Sequence, residues 1–225
     1  MAILYIVATP IGNLKDITLR AVDALQNADV ILCEDTRVTQ KLLAAYHIRK
    51  PLVSYHQHSR LAKTDMILRM LEERKNLALV SDAGTPGISD PGGVLVEAVR
   101  ERFGAEVKIV PIPGANAALA ALSVSGFPAD TFSFLGFPPH KKGRKTFFKA
   151  IASKHDTLVF YESKHRIEKA LTELASAIGD RQVIVARELT KQFETIYRGT
   201  AQECLLQLQR DKTLGEFVIV VRGAV

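Results

Sequence analysis

The chain has 225 residues, 47% hydrophobic and 24% charged, which is ordinary globular usage and enough to bury a core in one large α/β domain or two small ones. No apolar run approaches the roughly 18–20 residues that a membrane-spanning helix needs, and the N-terminus lacks the positive region and cleavage site of a signal peptide. Two cysteines, Cys33 and Cys204, exclude a disulfide framework and a cysteine metal site, so the expectation is a reduced, cytoplasmic protein. The net charge of +6 has two readings: a polyanionic partner held through Lys and Arg, or solubility alone.

In chain order, short β-rich runs alternate with helical patterns, which predicts an α/β fold with largely parallel sheets. Strands are expected at 3–8, 30–33, 52–55, 77–80 and 107–110, with helices at 18–26, 38–46, 63–74 and 94–103 between them. The Ala-rich stretch 116–124 predicts one more helix, apolar on nearly every face and so buried between layers. Gly126-Phe127-Pro128 ends it. A second series follows, with strands at 131–135, 157–161, 183–186, 195–198 and 217–221 and helices at 144–152, 167–178 and 201–210. Thr200 and Glu203 have capping-box spacing, and Gly179 fits a helix stop. The expected domains are 1–126 and 127–225, joined by a short connection.

Three loops that follow expected strands carry small or turn-forming residues: Thr9-Pro10-Ile11-Gly12-Asn13, the long Gly/Pro/Asp loop at 81–92, and Pro111-Ile112-Pro113-Gly114-Ala115-Asn116. In open α/β sheets ligands bind outside the carboxyl ends of strands, where such loops converge, and glycine admits close backbone approach. Each loop alone reads as turn punctuation; three together point to a binding cleft. The dinucleotide fingerprint G-x-G-x-x-G and the Walker A loop are both absent, which argues against NAD or ATP held in the ordinary way.

Thr9-Pro10-Ile11-Gly12-Asn13-Leu14, Glu34-Asp35-Thr36-Arg37, the loop 81–92, Phe160-Tyr161-Glu162-Ser163, Arg187-Glu188-Leu189-Thr190-Lys191 and Glu194-Thr195 together resemble the bacterial 16S ribosomal RNA (cytidine-2'-O)-methyltransferases, of the tetrapyrrole methylase-like superfamily. The resemblance covers essentially the whole chain. It implies two packed α/β domains of tetrapyrrole methylase type with a cofactor cleft between them, a homodimer, S-adenosyl-L-methionine as cofactor, and 2'-O-methylation of a cytidine ribose in small-subunit ribosomal RNA. Carried over residue by residue, it places Pro10, Asp82, Thr85, Asn116, Ala117, Tyr161, Glu162, Ala186 and Arg187 at the cofactor. The tetrapyrrole enzymes open with Gly-x-Gly-Pro-Gly-Asp instead, which argues against a porphyrinoid substrate. Family members continue past Gly215-Glu216-Phe217-Val218-Ile219-Val220 into a small helical segment, whereas this sequence stops at Val225. A tetrapyrrole or other small-molecule methyltransferase and a non-catalytic RNA-binding protein are the competing readings.

Glu34-Asp35-Thr36-Arg37 has two readings, a ribose- or RNA-orienting set at a cleft, with Arg37 on RNA, and a helix N-cap with a paired Arg. Glu34, Asp35 and Glu188 are the candidates for taking the hydroxyl proton. His47, His56 and His58 lack clustered Cys or carboxylate partners, so no metal is expected. Cys33 and Cys204 read as apolar fillers. The densest positive run, His140-Lys141-Lys142-Gly143-Arg144-Lys145, reads either as a solvated loop or as a phosphate clamp in which Lys141, Lys142, Arg144 and Lys145 hold RNA. Phe147 and Phe148 behind it read as core.

Overall fold

In the computed structural model, which describes residues 1–56, 61–90, 92–211 and 214–224, the chain divides into two compact units, Met1–Asn116 and Ala117–Val225. In the first unit β1 (Ala2–Val7), α1 (Leu19–Asn27), β2 (Val30–Cys33), α2 (Thr36–Ala45), β3 (Leu52–Ser54), α3 (Leu61–Glu72), β4 (Leu77–Val80), α4 (Gly92–Phe103) and β5 (Val107–Ile112) alternate strand and helix. The strands form one sheet in the order β3-β2-β4-β1-β5, every neighbouring pair parallel, as the alternation predicts.

Helices on both faces explain why these strands read as unbroken apolar runs such as Val30-Ile31-Leu32-Cys33. Leu4, Leu32, Leu77 and Leu79 enter one core with Ile67, Leu71, Leu95 and Val99 of α3 and α4. Val7, Ile31, Cys33, Ala78 and Val80 point the other way, against Ala21, Leu25 and Leu43 of α1 and α2. Successive residues thus serve opposite cores. Truncating Leu77, which has no exposed surface, to Ala would cost about 2–5 kcal/mol.

The second unit contains α5 (Ala117–Ser123), β6 (Phe132–Phe134), α6 (Arg144–Ala152), β7 (Thr157–Ser163), α7 (Ile167–Ile178), β8 (Gln182–Arg187), β9 (Thr195–Thr200), α8 (Ala201–Arg210) and β10 (Glu216–Val221). Its sheet has the order β6-β7-β10-β8-β9. Here the expectation of largely parallel pairing fails. Only β6 and β7 run parallel; β10 lies antiparallel to both β7 and β8, and β9 antiparallel to β8. The reason is connection length, since the seven residues 188–194 between β8 and β9 are too few for a parallel crossover.

Leu158, Phe160, Phe217 and Ile219 pack under α6, α7 and α8, while Val159, Ile184, Val218 and Val220 pack under α5. The helix α5 therefore belongs to the second unit, and the units divide ten residues before the boundary that Gly126-Phe127-Pro128 suggests. Nor is α5 buried on every side: Ala118, Ala121 and Leu122 are covered, but Leu119 is half exposed. The capping box at Thr200 and Glu203 forms, and Gly179 stops α7 with a positive φ of 58°.

Candidate active site

The parallel register sets the carboxyl ends of three strands side by side: Val7 of β1 pairs with Val80 of β4 and with Ile112 of β5. The three glycine-bearing loops therefore start at one level and are stapled together. The Thr9 N–H donates to Gly84 O at 2.9 Å, and Gly84 N–H returns to Thr9 O at 3.1 Å. Thr9 Oγ1 donates to Ser81 O at 3.2 Å, and Thr85 Oγ1 to Ala115 O at 3.2 Å. Two glycines make this approach possible. Gly84 has φ +82°, and a Cβ on Gly114 would stand 2.9 Å from Ala8 Cβ. Of the expected cofactor residues, Pro10 is buried in this assembly, Thr85 and Asn116 are half-buried, and Asp82 is exposed.

Beside β4, β2 delivers Glu34 and Asp35 to the same edge. The Asp35 N–H donates to Asp82 Oδ1 at 3.0 Å, tying the end of β2 to the long loop. Asp35 is also the N-cap of α2: its Oδ1 accepts from Arg37 N–H at 2.8 Å, and the Arg37 guanidinium pairs with Oδ2 at 2.6 Å. The cap reading of this motif is thus realised, while the Arg37 side chain stays 85% exposed. Asp90, which the sequence reading did not single out, accepts the N–H of Gly92 at the start of α4.

These carboxyl groups are not equivalent. Burial pushes the Glu34 carboxyl up from its ordinary value, and the charges of Asp82 and Asp90 push it further, against one hydrogen bond from the Asp82 N–H. The Arg37 hydrogen bonds instead hold Asp35 down at about 2. Glu188, in the second unit, is raised by burial but pulled below its ordinary value overall, because its Oε1 accepts from Lys191 Nζ at 2.9 Å and from Glu216 N–H at 2.9 Å. Among the three base candidates, Glu34 alone is made more basic.

In the second unit Tyr161 Oη accepts the N–H of Ala118, in the first turn of α5, at 3.3 Å, and its ring sits against Phe134 and Phe137. Ala117, partly exposed, begins that helix, and Ala186 lies fully buried on the same face of the sheet. Arg187 ends β8 with its Nε donating to Leu214 O at 2.7 Å. Glu162 points elsewhere. Its side chain has no exposed surface and lies 2.8 Å from Arg166 and 3.4 Å from Arg144.

Arg144 departs from its place in the expected phosphate clamp. Only 4% of it is exposed, because it is anchored by Glu162, by Glu173 at 2.7 Å and by the Phe148 ring. Lys141, Lys142 and Lys145 remain exposed. Phe148 is core, as expected, and Phe147 packs beside it. Cys33 and Cys204 are buried, with the Cys204 thiol pushed up to about 12, so neither offers a thiolate. Among the described residues no three His, Cys, Asp or Glu side chains form a metal cluster; His58 lies outside the described residues.

The sequence profile of the Tetrapyrrole (Corrin/Porphyrin) Methylases matches residues 3–205. The "Ribosomal RNA small subunit methyltransferase I" of Bacillus subtilis (strain 168) is 46% identical over 225 residues, which is all of this chain and 76% of that protein. The protein of the same name from Synechocystis sp. is 47% identical over 226 residues, all of this chain and 80% of its own length. Among solved structures, the methyltransferase CobJ superposes with a TM-score of 0.71 at 21% identity, covering 100% of this chain and 95% of that one, a likeness of fold. The chain belongs to the tetrapyrrole (corrin/porphyrin) methylase family, among the ribosomal RNA small subunit methyltransferase I proteins.

Proposed function

We propose that the protein methylates the ribose 2'-hydroxyl of a cytidine in small-subunit ribosomal RNA, with S-adenosyl-L-methionine as donor. Support for RNA as acceptor comes from relatives so named at 46–47% identity across this whole chain. The exposed Lys141, Lys142, Lys145 and Arg37 add cationic groups suited to phosphate. The ribose oxygen and the cytidine are what the resemblance of this sequence to the 16S ribosomal RNA (cytidine-2'-O)-methyltransferases implies.

The donor fits the first unit by the chemistry of its strand ends. A sulfonium cofactor carries positive charge, and the charges of Asp82 and Asp90 both act on the Glu34 carboxyl, so three acidic groups gather at these strand ends. Asp82 is exposed to meet such a cation, and the stapled loops at Thr9, Gly84 and Ala115 offer backbone groups around it. Asn116 and Ala117 continue the third loop. When bound, S-adenosyl-L-methionine supplies an electrophilic methyl group. What remains for the chain is to hold the acceptor in line and to accept one proton. Glu34, whose carboxyl is raised by burial, takes the proton from the 2'-hydroxyl; Asp35, held at about 2, is too weak a base. Asp35 instead positions α2 and Arg37.

The test is to incubate the protein with methyl-labelled cofactor and small ribosomal subunits, then digest the RNA with alkali. A 2'-O-methyl group blocks the neighbouring cleavage, so label should persist in alkali-resistant dinucleotides and in 2'-O-methylcytidine after digestion to nucleosides. Label in mononucleotides would place the methyl on a base and defeat the reading.

A further inference from the structure

Glu162 sits at the centre of a buried ion network in the second unit. On β7 it faces the α6–α7 side, where it meets Arg166 at 2.8 Å and Arg144 at 3.4 Å. Arg144 also binds Glu173 of α7 at 2.7 Å. Both arginines reach onward to the chain just before the positive run. Arg144 Nη1 donates to Pro139 O at 3.3 Å, and Arg166 Nη1 donates to Pro138 O at 3.1 Å.

Arg144 is itself the end of the segment that starts at Pro138, so one carboxylate governs both ends of the loop. Between these ends Lys141 and Lys142 are exposed, and Lys145 follows on the first turn of α6. Proline carbonyls are unusually good handles here, because neighbouring prolines limit the backbone conformations that must be restrained.

The network makes little sense as a device for stability. Desolvating several charges consumes most of their mutual attraction. Arg144 Nη2, in addition, is buried without a hydrogen bond. What the contacts do show is that four side chains and two proline carbonyls are held in one arrangement.

We propose that Glu162 is a positioning residue for the acceptor RNA: through Arg144 and Arg166 it locks the loop 138–145 so that Lys141, Lys142 and Lys145 meet phosphates without a prior ordering step. This rests on the reading that these lysines hold RNA. A loop ordered in the free protein spares the conformational entropy that a loose loop loses on binding.

The experiment compares Glu162→Gln with Lys141→Ala/Lys142→Ala/Lys145→Ala in the full chain, with small-subunit ribosomal RNA as the probe. In Glu162→Gln, amide exchange should accelerate within 138–145 and not across the sheet. RNA affinity should fall by about tenfold, as expected for one newly mobile loop, with the salt slope kept because the same lysines still reach phosphate. Cofactor affinity should hold. Unchanged exchange in 138–145 would overturn the proposal, and so would loss of cofactor affinity with RNA binding intact, which would return Glu162 to the cofactor. The triple lysine variant separates the two layers: it should reduce the salt slope by about two to three units. A parental slope there defeats the RNA reading itself, whatever Glu162→Gln does to exchange. Should Glu162→Gln unfold, Glu162→Met/Arg166→Met removes the closer pair together and leaves Arg144 its bond to Glu173, so that no buried charge is stranded. Parental protection of 138–145 in that variant overturns the proposal, and selective loss supports it.

Discussion

Tyr161 and Glu162 are neighbours on β7 that serve opposite faces of the second sheet: the tyrosine hydroxyl accepts the Ala118 N–H at the start of α5, and the carboxylate binds the arginines beside α6 and α7. One step along a strand thus separates a group tied to the third loop's helix from a group tied to the basic run. The two should be separable by mutation.

Tyr161→Phe removes the acceptor for one otherwise unpaired N–H in the first turn of α5. Its ring contacts with Phe134 and Phe137 persist, so denaturant unfolding should show a loss of only about 0.5–1.5 kcal/mol. Because α5 begins where Asn116 and Ala117 lie, cofactor affinity should fall several-fold while RNA affinity stays level. Equal affinity for cofactor in the variant and the parent would remove Tyr161 from the cofactor site.

Asp82→Ala deletes an exposed carboxylate whose structural duty is one hydrogen bond from the Asp35 N–H. The fold should survive with a loss of about 0.5–1.5 kcal/mol. Calorimetric titration should show cofactor binding weakened by about tenfold or more, equivalent to at least ~1.4 kcal/mol. If the variant unfolds, Asp82 is holding the β2 and β4 ends together and is structural.

Glu34→Gln tests the base and carries a signed pH dependence. The Glu34 carboxyl is raised in the folded protein, first by burial and then by Asp82 and Asp90. The folded state therefore binds its proton more tightly than the unfolded chain does, and the parent loses stability as pH rises from the ordinary glutamate range through the raised value. Glu34→Gln escapes that loss. It should be more stable than the parent at neutral pH, with the difference shrinking as pH falls into the ordinary range. Its methyl transfer should fall by about 10²–10⁴-fold if Glu34 takes the proton. A gain in stability with full activity would assign the acidic edge to structure alone.

How much of this the sequence discloses depends on how local each determinant is. The runs 30–33 and 77–80 and the helices 144–152, 167–178 and 201–210 coincide with β2, β4, α6, α7 and α8, because apolar periodicity and caps are written within a few residues. Strand direction in the second sheet is not: β10 inserts between β7 and β8, a choice made by long-range pairing. The same limit applies at the site. The three loops could be picked out by their glycines, yet nothing nearby in sequence announces that Arg144 would turn inward to Glu162 and Glu173, 18 and 29 residues away. Reading 140–145 as one positive surface treats charge as solvated by default, and Arg144 has desolvated partners instead. Asp90 escaped notice for a related reason, since its effect on Glu34 crosses from the long loop to the β2 edge.

Asp35 and Arg37 supply a dissection of capping from RNA contact within one motif. Asp35 is held at about 2 by Arg37, below the ordinary value of 3.8, so its contribution to folding is fully present above 3.8 and is lost as pH falls towards 2. Asp35→Asn keeps a capping oxygen for the Arg37 N–H but discards the charge. It should therefore flatten the acid side of the stability profile between those two values, matching the parent at the acid end and lying below it at neutral pH by an amount that solvent screening of this exposed pair keeps small. The variant also releases the exposed Arg37 guanidinium, which the carboxylate otherwise engages at 2.6 Å. If Arg37 contacts a phosphate, Arg37→Ala should lower the salt slope of ribosomal RNA association by about one unit, and Asp35→Asn should leave that slope at or above the parental value. Both should show parental cofactor affinity. The opposite pattern, in which Arg37→Ala keeps the slope and destabilises α2 in an acid titration, would make the arginine a partner of the cap alone and leave Lys141, Lys142 and Lys145 as the phosphate-binding groups.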